Sequence, residues 1–161
     1  MTTLRTWSFR SDLAAQRAAR TLARPNGEVT TVDDAAIISW PCDRRRPLAW
    51  QARDLGTEQR LSGAFWGLLF AQLFLLPISW ELLPTWDPSR LDETLAYLGL
   101  DERFVGAVRA QVVPGTSALF VLDSEQAGDI IDRQLAEDAR RLEVVLSDEQ
   151  AGRIHAAFDD D

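Results

Sequence analysis

Between Arg60 and Glu81 the chain runs for 20 residues without a charge, and no other part of it is as apolar for as long. As a helix this stretch is about 30 Å long, close to the hydrocarbon thickness of a bilayer. Its sequence argues against a simple span. Gln72 sits in the middle, Pro77 interrupts any helix near its end, and Trp80 is followed at once by Glu81, Pro84, Asp87 and Pro88. The remaining ways to satisfy such a segment are a core helix, a membrane-surface segment or a contact with another subunit. Trp66, Trp80 and Trp86 are three of the six tryptophans, and an indole suits a boundary with one apolar and one wet side. The residues expected to make the contact with another subunit or with lipid are Phe65, Trp66, Leu69, Phe70, Leu73, Phe74 and Trp80.

The rest of the chain supplies elements for this segment to pack on. Thr3–Phe9 reads as a strand. Ser11 and Asp12 open a helix whose Ala14, Ala18 and Leu22 recur every fourth residue, and Pro25-Asn26-Gly27 stops it. Asp33 and Asp34 read as part of a solvated loop. Ala35–Trp40 and Leu48–Arg53 are two strands of a hairpin, with Leu48, Trp50 and Ala52 on one face. Arg44, Arg45 and Arg46 stand at its tip, as a charged turn or as a patch for an anionic partner. Ser89–Gly99 reads as a short helix, and Asp101 opens another with Phe104, Val105, Val108 and Val112 inward. Leu100 and Val105 fit a hydrophobic staple around Asp101. Thr116–Leu122 is apolar on both faces, which predicts a central strand. A helix follows with Ala127, Ile130, Ile131 and Leu135 inward, then a strand over Arg140–Leu146. Ser147 to Gln150 is a capping box opening a last helix that buries Ile154 and Phe158, and Asp159, Asp160 and Asp161 form an acidic tail.

Two strand–helix units around a hairpin predict a single α+β domain over 1–161. The expected form is a ferredoxin-like sandwich with helices on one face. The apolar segment and the helix after it, residues 61–98, enter as an insertion between the third and fourth strands. If strands on both sides of the insertion share one sheet, both its ends lie on one side of any membrane, and a single span is excluded.

Composition narrows the chemistry. One cysteine, Cys42, allows no internal disulfide and no multi-thiolate metal site, and one histidine, His155, allows no histidine cluster. No metal and no cofactor is expected. A net charge of −8 disfavours general nucleic-acid binding. No signal peptide follows Met1, so the expected location is cytoplasmic, in part peripheral or associated with the inner membrane. No phosphate loop, dinucleotide fingerprint, paired-cysteine or hydrolase motif occurs. Pro114-Gly115-Thr116-Ser117 reads as a helix stop and strand start rather than a nucleophile site, and Cys42 beside Asp43 and three arginines is the one candidate reactive thiol. The expectation is a non-enzymatic, self-associating protein: a homo-oligomer, or one docked at a membrane surface. The alternatives are a small-molecule binding module with an aromatic and Leu-lined pocket, or an enzyme using Cys42 or an acid pair.

Two pieces of text carry a resemblance. They are Gln51-Ala52-Arg53-Asp54-Leu55 leading into Leu61-Ser62-Gly63-Ala64-Phe65-Trp66-Gly67-Leu68-Leu69-Phe70, and Gly99-Leu100-Asp101 with Phe104 leading to Pro114-Gly115-Thr116-Ser117-Ala118-Leu119-Phe120-Val121-Leu122. In these, and in its order of elements, the chain resembles a bacterial family of predicted membrane proteins of unknown function, associated with stress (domain-of-unknown-function family twelve sixty-nine). The resemblance implies an α+β domain with a glycine-zipper hairpin at this point and no catalytic residues. The chain departs from that pattern after Gly67, where Gln72, Pro77, Glu81 and Asp87 replace the small-residue repeats that let helices approach closely.

Overall fold

The structure is a computed structural model that describes residues 2–23, 32–52, 65–66, 69–70, 73, 100, 102–123, 128–135 and 139–158. Five strands form one sheet: β1 (Thr2–Phe9), β2 (Asp34–Trp40), β3 (Leu48–Gln51), β4 (Thr116–Asp123) and β5 (Arg140–Leu146). Their order is β3-β2-β4-β1-β5, and every pair is antiparallel. Four helices complete the described residues: α1 (Ala14–Ala23), α2 (Glu102–Gln111), α3 (Gly128–Gln134) and α4 (Asp148–Phe158). The protein is therefore α+β.

β4 lies at the centre, as its unbroken run of apolar residues requires, because a strand buried on both faces has no polar side to present. Both faces of the sheet are covered. On one, Trp7, Phe9, Ile37, Leu119 and Val121 pack with Ala15, Ala18, Ala19 and Leu22 of α1 and Ile131 of α3. On the other, Leu4, Ile38, Phe120, Leu122 and Leu146 pack with Phe104, Val105 and Val108 of α2, Ile154 of α4, and the helical residues of the apolar segment. The expectation of helices on one face thus captures α1 and α3 alone. The second layer exists because β1, β2 and β4 carry apolar residues at both alternating sets of positions.

Local chemistry sets the element ends. Ser147 and Gln150 form a reciprocal cap at the start of α4: the Ser147 N–H donates to Gln150 Oε1 at 2.9 Å, and the Gln150 N–H to Ser147 Oγ at 3.1 Å. The start of α1 is held from far away. Ser117 Oγ accepts from the Ala15 N–H at 2.9 Å and donates to the Ser11 carbonyl at 2.6 Å, while Ser39 Oγ donates to the Asp12 carbonyl at 2.6 Å. Between α2 and β4 the chain turns on Gly115, whose φ of 90° favours a residue without a side chain, and a Cβ there would stand 2.9 Å from Cys42 Sγ.

Candidate functional site

The apolar segment meets the sheet through one buried carboxylate. Asp34 opens β2 and is 0% exposed. Its Oδ1 accepts from the Ala35 N–H at 2.8 Å, and its Oδ2 from the Trp66 indole N–H at 2.8 Å. The Gln51 side-chain amide of β3 donates to both oxygens, at 3.1 and 2.9 Å. A carboxylate is tolerated away from water when donors satisfy its oxygens. This cluster joins β2, β3 and the apolar segment, and it corrects the reading of Asp33 and Asp34 as a solvated loop: both are buried.

From Trp66 an aromatic chain runs to the sheet centre. Trp66 and Phe70 stack with centroids 5.9 Å apart, Phe65 meets Trp66 edge-on at 4.9 Å, and Phe70 meets Phe120 of β4 edge-on at 5.1 Å. Further along the segment, Arg109 Nε of α2 donates to the Leu73 carbonyl at 3.0 Å. Among its described residues the segment is thus fastened by polar groups at Trp66 and Leu73 and by rings between them.

Of the residues expected to contact a subunit or lipid, Phe65, Trp66, Leu69, Phe70 and Leu73 are 0–3% exposed and belong to the chain's own core. Phe74 and Trp80 lie outside the described residues, as do the expected helix over Ser89–Gly99 and the tail of Asp159, Asp160 and Asp161. Arg44, Arg45 and Arg46 are exposed at the β2–β3 tip, where the Arg44 N–H donates to the Pro41 carbonyl at 3.1 Å and the Trp40 indole N–H to the Arg44 carbonyl at 3.1 Å. Cys42 is exposed in the same turn.

A second polar cluster sits on the opposite face, at the β1–β5 edge. Arg5 is buried, with Nη1 2.6 Å from Asp123 Oδ2 and Nε 3.0 Å from Glu143 Oε2. Arg141 pairs with Glu143 at 3.0 Å and with Asp132, and lies 5.9 Å from the centre of the Trp7 ring. Asp132 also accepts from the Trp7 indole N–H at 2.6 Å. Burial opposes the charge on Arg141, but its hydrogen bonds and ion pairs with Glu143 and Asp132 outweigh that and hold its pKa above the ordinary arginine value. The cluster is a charge-balancing brace between β1, β5 and α3. Among the described residues no group of three or more His, Cys, Asp or Glu side chains is arranged to hold a metal.

Sequence reasoning missed Asp34, Gln51 and the Arg5–Asp123 pair, because their partners lie 17 to 118 positions away. One signal was available for Arg5 and Asp123: charges inside strands of otherwise central character need each other. Ser117 is placed as the strand-start reading requires, with its hydroxyl used to hold α1.

If the Trp66–Asp34 bond holds the segment to β2, Trp66→Phe should cost about 1–3 kcal/mol, the penalty of removing one donor from a buried acceptor. Urea unfolding of Trp66→Phe, Asp34→Asn and the double variant checks it. Losses that add within about 0.5 kcal/mol would mean the bond contributes nothing of its own.

These features define a class: an α+β protein with one antiparallel sheet covered on both faces, and no helix among the described residues long and apolar enough to cross a membrane. The model of a family described as protein of unknown function (DUF1269) matches residues 60–159, and the chain belongs to that family. The match takes in the apolar segment, α2, β4, α3, β5 and α4, and leaves out β1, α1, β2 and β3. No significant match was found among curated proteins or among solved structures.

Proposed function

We propose that this is a non-enzymatic protein that works by self-association, with the apolar segment as its main contact between copies and a membrane surface as the other place the segment can dock. The observation that carries the reading is how the segment divides. Phe65, Trp66, Leu69, Phe70 and Leu73 are spent on the chain's own core. On helical spacing alone Leu68, Ala71 and Leu75 fall on the other side, and they too are uncharged. A helix apolar all round calls for cover on both sides.

We further read β2-β4-β1-β5 with α1 and α3 as a ferredoxin-like unit. In support, β4 lies between the ends of the β1-α1-β2 connection, and β1 lies between the ends of β4-α3-β5. On this reading β3 is an added edge strand, and the apolar segment is an insertion between β3 and β4 that covers the face such a sandwich leaves bare. Since β2 and β4 pair directly, both ends of the insertion belong to one side of any membrane. That favours surface docking over a single span.

The test is light scattering on the full chain without detergent, with and without liposomes. The parent should run as an oligomer or co-migrate with liposomes. Leu68→Glu, on the side that helical spacing sets away from the core residues, should lose whichever of these the parent shows; its thermal midpoint, measured alongside, separates lost association from lost folding. A parent that is monomeric and ignores liposomes overturns the reading.

A further inference from the structure

Charge is divided between the two ends of the sheet. β1 leaves it at Phe9, β2 leaves it at Trp40 and β4 enters it at Thr116, with Ser117 opposite both Phe9 and Ser39. Arg140, the first residue of β5, lies opposite Ser8. Arg10, which follows β1, and the turn of Arg44, Arg45 and Arg46, which follows β2, therefore belong to the same end as Arg140. All five arginines are exposed. The acids among the described residues there are Asp12 and Asp43, and Asp132, the next one inward, is paired with Arg141. The opposite end carries Asp34 and Asp123 at strand termini, and Asp148 and Glu149, both exposed, just beyond β5.

The arginine end also exposes apolar side chains. Leu13 is 47% exposed and Val113 is 42% exposed. The turns that carry them are tied to the sheet. Ser39 Oγ donates to the Asp12 carbonyl at 2.6 Å, the Val113 N–H donates to Thr116 Oγ1 at 3.0 Å, and the Gly115 N–H donates to the Trp40 carbonyl at 2.6 Å. The apolar segment is held toward this end as well. Arg109, which holds the Leu73 carbonyl, is two residues from Gln111, whose Oε1 accepts from Ser8 Oγ at 2.7 Å.

We propose that this end of the sheet docks on an anionic lipid surface, with the arginines among the phosphates and Leu13 and Val113 at the level of the headgroups. This rests on the reading that the protein docks at a membrane surface, and adds a contact that reading does not use. A guanidinium meets phosphate oxygens through paired, charge-assisted hydrogen bonds. Leu13 and Val113 select lipid over a wholly polar polyanion, because a headgroup layer has an apolar boundary beneath it for them to enter.

The chain's net charge of −8 does not oppose this arrangement at close range. β1 is eight residues long, so the acids at the far end stand roughly 23 Å beyond the arginines, against a Debye length of about 8 Å at physiological salt. A surface touching the arginine end feels that end and little of the other.

The experiment is co-sedimentation of the full chain with vesicles of phosphatidylcholine alone and of equal parts phosphatidylcholine and phosphatidylglycerol, at low and high salt, with thermal melts alongside. The parent should bind the acidic vesicles more tightly and leave them as salt rises. Arg45→Ala with Arg46→Ala should weaken that binding about 25-fold, near fivefold for each arginine at an anionic surface, with a parental melt. Arg20→Ala with Arg103→Ala removes the same charge from exposed positions on α1 and α2 and should bind as the parent does. Equal binding of the parent to both kinds of vesicle overturns the proposal. So does parental binding by the Arg45, Arg46 variant, or an equal loss in the Arg20, Arg103 variant, which would be an effect of net charge. Binding to duplex DNA with none to vesicles also overturns it. If Leu68→Glu loses the acidic vesicles and the Arg45, Arg46 variant keeps them, this end is not the contact and the proposed function stands. A parent that assembles but ignores both kinds of vesicle overturns this proposal and leaves self-association standing.

Discussion

Leu69→Asp should abolish cooperative folding. Leu69 is 0% exposed and belongs to the cluster that includes Phe65, Phe70, Leu73, Phe104 and Phe120. Removing a buried leucine side chain costs about 2–5 kcal/mol through lost transfer energy and the cavity left behind. The aspartate then adds a carboxylate with no donor arranged for it, which costs several kcal/mol more or forces protonation. Together these are on the order of the total stability of a domain, about 5–15 kcal/mol. Phe70→Asp should behave alike, since it also loses the ring contacts with Trp66 and Phe120. Far-UV circular dichroism and urea titration read both. A parental melt in either variant would mean the segment is not seated on the sheet as described. Loss of assembly in these two variants therefore reports unfolding, whereas in Leu68→Glu a parental melt would mark it as lost association.

Arg5→Met should cost about 3–5 kcal/mol, the usual penalty for breaking a buried ion pair by removing one member. Arg5 and Asp123 are diagonal neighbours on adjacent strands, both nearly closed to water, with Nη1 and Oδ2 2.6 Å apart. The penalty arises because Asp123 stays buried after losing its cation. The double variant Arg5→Met, Asp123→Leu should recover much of the loss, because the cost of desolvating both charges disappears with them. Chemical denaturation of the two single variants and the double variant decides this. A double variant as unstable as the sum of the singles would mean that the pair is not coupled and that packing accounts for the losses.

What was legible in the sequence was mostly periodicity and punctuation. Arg140–Leu146, the Ser147–Gln150 cap and the turn at Pro114-Gly115 are local signals, and each is where it was expected. Leu142, Val144 and Leu146 share a face as their alternation predicts. The central place of β4 followed from its two apolar faces. What local pattern does not carry is which distant groups a side chain will meet. Asp34 looked like loop because the residues around it are polar, yet its neutral partners Gln51 and Trp66 come from a hairpin strand and a helical segment. The burial of Phe65, Trp66 and Leu69 also needed the fold, since an apolar stripe reads the same whether sheet, subunit or lipid covers it. The second helical layer was missed because the alternation in β1 conceals that both of its faces are apolar enough to be covered.

The placement of β1 bears on the order in which the molecule is made. The first strand lies between β4 and β5, so its hydrogen-bonding neighbours are residues 117–123 and 140–146. At a synthesis rate of about 5–20 residues per second, β1 waits several seconds for its first partner. The apolar segment emerges during that wait, before Phe120 and the rest of β4 exist to receive it. For that interval the nascent chain carries its most apolar surface uncovered, open to a chaperone, a lipid surface or another nascent copy. Closure of the sheet by β5 is then a late event, and the residues that complete the fold also withdraw that surface.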